Sequence, residues 1–338
     1  MRVLVAPDKM RGTLDASHFA DAIGRALLAH GHEVDRVALS DGGEGFVDCF
    51  GGEVHHAEVT GPLGEPIGAS FRLLEDGTAI VEMASAAGRA LLPHPTGDHA
   101  ISATTAGVGQ LILGAINAGA TTVVVGCGGS ATTDGGRGAV GVLEAAGGLG
   151  STRLLAATDV TTGFLDAARL FGAQKGASPA QIELLSRRLD EEAAAYQARY
   201  GLDVTVLARA GAAGGLAGGL AALGAELCSG FELVAERQGL DEVITHAELC
   251  VSGEGSLDVT TLEGKVVAAL LGRLAPSCPV LLICGSAEEA SLAALRSSRS
   301  GSVLCADLTA RYGHTASTDT ERLVEEATGR LLDEGGFA

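Results

Sequence analysis

Lysine is nearly missing from this chain: only Lys9, Lys175 and Lys265 occur among 338 residues, while arginine supplies the other 20 basic side chains. Long apolar runs are missing too. The longest, TTVVVGCG and PVLLIC, are of strand length, far short of the roughly 20 residues that cross a bilayer. The opening MRVLVAPDKM enters a buried-type strand with neither a signal-type apolar region nor an Arg/Ser-rich transit segment, so the cytoplasm is the expected location. No CxxC pair exists among the seven cysteines. An odd number of thiols, most of them beside apolar runs, reads as reduced core residues and argues against a disulfide framework or a zinc site. A net charge of −19, with no Lys/Arg-rich stripe to offset it, excludes nucleic acid and anionic membrane as expected partners.

What the chain has in quantity is glycine, 50 residues without a fixed period, concentrated in local loops. Short apolar strands alternate with amphipathic helices, which predicts an α/β fold. The length suggests two domains. Residues 1–54 and 229–338 are expected to form a discontinuous, Rossmann-like doubly wound parallel sheet. Residues 55–228 are expected to form an inserted second α/β domain, with the active site in the cleft between the two. In the terminal portions RVLVAP, VDRVALS, AELCVSG, PVLLICGS and SVLCADL read as strands. Helices are expected near 15–30, after Thr261, near 288–297 and near 317–333. In the inserted portion two extended runs flank Glu75-Asp76-Gly77, a turn type that favours a β-hairpin. A helix after Thr104, the strand TTVVVGCG and a helix from about 179 to 200 complete it.

Each of the three lysines sits in or beside a glycine-bearing loop. A compact ammonium suits nonbridging phosphate oxygens, with chance in an arginine-biased composition as the alternative. Three loops could cradle phosphate. The stretch Gly126 to Gly136 follows a strand and precedes a helix, so that the amides of Gly128 and Gly129 and the hydroxyls of Ser130 and Thr132 could face an anion. GAAGGLAGG, with Gly214 and Gly215, also opens a helix, although close packing would explain its small residues equally well. SGEGSLD, with Gly253, follows a buried strand and brings two acids. None is a P-loop or a dinucleotide fingerprint. Acids gather at strand ends: Asp8, Asp41, Glu44, Asp134, Asp159, Glu254 and Asp258. In an open α/β sheet such positions converge on a ligand crevice, although turns and helix caps use the same residue types. Arg11 could hold a carboxylate or phosphate, or form a surface ion pair. The nine histidines lie outside these loops and are given no metal role.

The segments APDKMRGTLDA, SDGGEGF, TGPLGEP, VEMASAAG, TTAGVGQLI, GCGGSATTDGG, FGAQKGAS, GAAGGL, LGAELCSGFEL, SGEGSLD and TLEGK, in this order from about residue 2 to 310, resemble the type I glycerate kinase family. The resemblance implies ATP-dependent phosphorylation of D-glycerate at the 2-hydroxyl. Matching positions are Asp8, Arg11, Asp41, Glu44, Ser130, Thr132, Asp134, Asp159, Gln174, Lys175, Glu254, Asp258 and Lys265. On that reading Lys175, Lys265 and loop amides neutralise the triphosphate, Glu254 and Asp258 hold Mg²⁺, Lys9 and Arg11 grip the acid's carboxylate, and Asp41 or Asp134 accepts the hydroxyl proton. The sequence departs from the family at DVTTGFLDAARLFG, which is shorter than the usual loop, at Ser256 where arginine is usual, and at Thr260 where glutamine is usual. A kinase for another hydroxy acid, such as a four-carbon aldonate, and a non-catalytic metabolite-binding protein are the alternatives. A homodimer is left open.

Overall fold

The computed structural model describes residues 1–10, 12–263 and 265–337. In chain order its strands are β1 (Arg2–Val5), β2 (Glu33–Arg36), β3 (Glu53–Thr60), β4 (Pro66–Leu73), β5 (Thr78–Glu82), β6 (Thr122–Gly126), β7 (Arg153–Ala157), β8 (Glu226–Cys228), β9 (Leu249–Leu257), β10 (Val280–Ala287) and β11 (Val303–Asp307). Backbone contacts divide the chain into two units, Met1–Ser40 with Phe231–Ala338, and Asp41–Gly230.

The first unit holds a wholly parallel sheet of order β11-β10-β9-β1-β2. Val3, Leu4 and Val5 are fully buried, as are Leu249 to Val251 and Val280 to Cys284. Strands so uniformly apolar require helices on both faces. One face, bearing Val3, Val5, Val251, Leu281 and Ile283, packs on Phe19, Ile23 and Leu27 of the helix Ala16–Ala29 and on Val324 and Leu331 of the helix Thr320–Gly335. Against the opposite face the helix Val266–Arg273 lies on β9. Asp15 caps the first helix by accepting from the His18 amide at 2.8 Å. A cap contributes about 1 kcal/mol, and each of Phe19, Ile23 and Leu27, all fully buried, about 1.5–3 kcal/mol, so packing rather than capping fixes this helix. Renumbered within the unit, the strand order is 2-1-3-4-5. The sheet therefore reverses direction between β1 and β9, and a doubly wound sheet binds ligands outside the carboxyl ends of the strands at such a reversal.

The second unit has a six-stranded sheet, β3-β4-β5-β6-β7-β8, antiparallel through β3, β4 and β5 and parallel from β5 to β8. The expected hairpin turn is present. The Asp76 carboxylate accepts from the Thr78 amide at 3.0 Å, and Gly77 has φ +80°. Val81, Val123, Val125 and Ala156 pack on Leu111 and Ile112 of the helix Ala106–Asn117. The helix Pro179–Tyr200 starts where expected, from a capping box between Ser178 and Gln181 with proline at its first position, and stops at Gly201, φ +73°. Two readings need correction. β2 covers only Glu33–Arg36, not the whole of VDRVALS. SGEGSLD is not a loop after a strand: β9 runs through it to Leu257, paired in register with β10 as far as Leu257↔Ala287.

Candidate active site

At the reversal in the first unit, the amide of Asp8 donates to the Gly253 carbonyl at 2.9 Å, tying the chain leaving β1 to β9. Asp8 is buried, and its carboxylate accepts from the Lys9 amide at 2.8 Å. Gly253, one of the expected phosphate-loop residues, is instead a strand residue facing Ile283. A Cβ there would lie 1.9 Å from the Ile283 carbonyl oxygen and 2.9 Å from the Phe19 ring. Gly253→Ala is accordingly expected to destabilise the protein by about 3 kcal/mol, read as a lowered denaturation midpoint. An unchanged midpoint would show that β9 does not need this close approach.

Next on β9, Glu254 is 5 % exposed and accepts from the Thr261 hydroxyl at 2.7 Å. Burial pushes its carboxyl up to about 7. Asp8 and Asp258 add to the rise, while Thr261 and Lys265 oppose it. Asp258 behaves oppositely: the Thr260 hydroxyl, donating at 2.5 Å, and the Thr260 amide, at 2.8 Å, hold it below the usual carboxylate range. Lys265 donates to the same Thr260 hydroxyl. Thr260 thereby links the ammonium to the Asp258 carboxylate. Ser256, where the family usually has arginine, lies on β9 and accepts from the Ser286 hydroxyl of β10 at 3.2 Å.

No group of three or more His, Cys, Asp or Glu side chains among the described residues could enclose a metal ion. Mg²⁺ is usually held by one or two carboxylates together with water and phosphate oxygens. Glu254, Asp258 and nearby Asp8 are hard oxygen donors, and their mutual repulsion at Glu254 is what a divalent cation would relieve.

In the second unit the loop Gly126 to Gly136 lies between β6 and the helix Arg137–Ala145, as expected. Gly128, Gly129 and Ser130 form its partly exposed lip, and Ser130 bridges to Gly88. Thr132 is buried, donating to the Ala213 carbonyl at 3.4 Å. Beneath the loop is Lys175, 3 % exposed, whose ammonium donates to the Thr132 carbonyl and, at 3.4 Å, to the Thr133 hydroxyl. Burial lowers it to about 7, with Asp134 opposing weakly. Gln174 beside it is exposed and offers its carbonyl to Arg89 at 3.2 Å. Gly214 and Gly215 face the loop from behind. Gly214 has φ +67°, and a Cβ on it would come within 2.0 Å of the Thr132 carbonyl oxygen, so these two glycines carry backbone packing.

Asp134 accepts four hydrogen bonds: from the Thr105 amide and hydroxyl at 2.9 and 2.8 Å, and from the amides of Gly136 and Gly138 at 3.1 and 3.2 Å. That many donors suit a group that ties two helix starts together. Asp41 is differently placed. It is half-buried and accepts from the Gly43 amide at 3.0 Å, in a loop seated on the ends of β6, β7 and β8. The Gly128 amide donates to the Gly42 carbonyl at 3.0 Å, and Cβ atoms on Gly42 and Gly230 would lie 2.6 Å from the Ala157 oxygen and 2.5 Å from the Asp41 carbonyl carbon. Glu44 is exposed on the same loop. Arg11 lies outside the described residues. Sequence reasoning missed Arg209 and Ser229, both beside Asp159. A lone arginine and a lone serine carry no motif, so only the fold could find them.

Comparison with known proteins gives the family of the chain. The model of the glycerate kinase family matches residues 3–149 and 142–333. Glycerate 2-kinase of Escherichia coli is 38 % identical over 305 residues, covering 79 % of this chain and 80 % of that protein. Glycerate kinase of Bacillus subtilis is 33 % identical over 330 residues, covering 86 % of each. Among solved structures, a candidate glycerate kinase 2 from Salmonella typhimurium LT2 superposes with a TM-score of 0.79 at 30 % identity, covering 100 % of both chains. With its α/β sheets, acid-rich strand ends and extended similarity, the chain belongs to the glycerate kinase family, whose members are phosphotransferases with an alcohol group as acceptor.

Proposed function

We propose that this chain transfers the γ-phosphoryl group of ATP to the 2-hydroxyl of D-glycerate, giving 2-phosphoglycerate and ADP, with Mg²⁺ as the metal and the cytoplasm as the location. The 2-position is supported by the similarity to the Escherichia coli relative, a glycerate 2-kinase. The observation that carries the reading is Lys175. An ammonium 3 % exposed, held by a carbonyl and a hydroxyl and ion-paired to no carboxylate among the described residues, opposes folding unless an anion completes its surroundings. A nucleotide phosphate on the lip formed by Gly128, Gly129 and Ser130 would do so.

The remaining side chains take roles in keeping with a loose transition state, in which positioning and charge compensation outweigh covalent help. Glu254 and Asp258 would hold Mg²⁺, which when bound draws charge from the phosphate oxygens. Lys265, fixed through Thr260 to Asp258, adds a second positive charge. Asp41, on the loop seated on the ends of β6, β7 and β8, would receive the proton of the attacking hydroxyl. Incubating the protein with Mg·ATP and D-glycerate and assigning the product by ³¹P NMR tests the reading. A 3-phosphate, or ATP consumption only with a four-carbon aldonate, would replace it.

A further inference from the structure

The geometry points to Arg209 as the residue that takes the carboxylate of the hydroxy-acid acceptor, in place of the Lys9 and Arg11 grip expected from the sequence. β7 and β8 end side by side, with Ala157 paired to Cys228. The residues that follow form a small polar group. The Ser229 hydroxyl donates to Asp159 Oδ1 at 2.5 Å, and Arg209 Nη1 lies 3.7 Å from that same oxygen while donating to the Thr158 carbonyl. Asp159 is buried, and the Arg209 side chain is 27 % exposed. The guanidinium is thus anchored on one side and open on the other. An ion pair as loose as 3.7 Å leaves room for a second carboxylate to compete, and the planar fork suits a bidentate grip.

The backbone supports the same assignment. Arg209 has φ +74°, and among the described residues the only other non-glycine residue with positive φ is Ala213. A long side chain in the left-handed region persists only where surrounding structure holds it there, and glycine would fit without strain. Here the holding structure is the short segment that departs from the family pattern: the Arg209 amide donates to the Thr161 carbonyl at 3.4 Å and the Gly211 amide to the Thr162 carbonyl at 3.0 Å. Keeping arginine where the backbone favours glycine indicates that the guanidinium itself is needed. Its location suits the chemistry, because Asp41 belongs to the loop seated on these same strand ends. In a 2-hydroxy acid the hydroxyl and the carboxylate stand on adjacent carbons, so the group that grips one must lie near the base that serves the other. Lys175 cannot serve, being buried under its loop.

This assignment rests on the hydroxy-acid reading above, and the decisive variant is Arg209→Gly, which removes the guanidinium and relieves the backbone. KM for D-glycerate should rise about 10- to 100-fold, in keeping with the loss of a charge-assisted pair. KM for ATP should stay within about twofold of the parent, and the melting temperature should hold or increase. Arg209→Lys should recover part of the glycerate affinity. An unchanged glycerate KM, a rise in the ATP KM instead, or a fall in melting temperature accompanied by equal losses for both substrates would overturn the assignment. Calorimetric titration of D-glycerate into the resting protein separates the two layers. Absence of turnover by the parent enzyme would sink the function reading, whereas a weaker Kd in Arg209→Gly would still establish the carboxylate grip, and an equal Kd would refute it.

Discussion

Lys175→Met should slow turnover by roughly 10²–10³-fold, the usual loss when a group that stabilises developing charge is removed, while making the protein more stable at pH 6.5. The two effects share one cause. The folded protein holds this ammonium at about 7, against 10.5 in solution, because burial strips its water. At about 1.4 kcal/mol per unit the depression opposes folding by about 5 kcal/mol wherever both states are protonated, which is below pH 7. Between pH 7 and 10.5 the unfolded chain binds more protons than the folded one, so the parent gains stability as pH rises through that window. Methionine has similar length and no charge. It removes the penalty but leaves the Thr132 carbonyl without its donor, a loss of about 1–3 kcal/mol, so a net gain near 2 kcal/mol is expected at pH 6.5 and none at pH 10. Thermal unfolding at the two pH values, with kcat measured alongside, checks both halves. A variant that keeps its turnover, or is less stable at pH 6.5, would refute the role given to Lys175.

Glu254→Gln is the counterpart in the first unit, with the pH dependence reversed. Burial raises the Glu254 carboxyl to about 7 from 4.5, so the folded state keeps its proton longer than the unfolded chain. Parent stability is therefore lost as pH rises from 4.5 to 7 and stays lost above that. Glutamine resembles the protonated acid and can still accept from Thr261, so at pH 8 the variant should be the more stable by up to about 3 kcal/mol, with the difference vanishing near pH 4.5. In the role proposed for it as a Mg²⁺ ligand, Glu254 should also be needed for turnover. We expect kcat to fall roughly 10²–10³-fold and the Mg²⁺ concentration giving half-maximal rate to climb. Unaltered Mg²⁺ dependence would remove Glu254 from the metal site.

These residues differ in how far the sequence alone could place them. Lys175 and Lys265 stand out because lysine is so scarce, and that scarcity is legible without coordinates. The helix Pro179–Tyr200 and the hairpin at Glu75-Asp76-Gly77 are legible because caps and turns are local chemistry. β3 escaped notice: EVHHAEVT is a largely exposed edge strand without the apolar run that betrays an interior one. SGEGSLD looked like a loop because glycine and acids usually make turns, and only its neighbours explain it, since Ile283 and Phe19 occupy the space a side chain would need. The structural part of Asp134 is hidden from the sequence for a similar reason. Its four donors come from residues as far away as Thr105, and no local pattern announces them.

The insertion of Asp41–Gly230 between β2 and β9 also governs how the protein emerges from the ribosome. β1 is made before β2 and β9, yet it lies between them, and Val3 pairs with Leu249. At about 5–20 residues per second, the nascent chain carries the apolar β1 with the edge that β9 will cover still open for tens of seconds, during which the whole of Asp41–Gly230 is synthesised and free to fold. The first sheet to begin is the last to close.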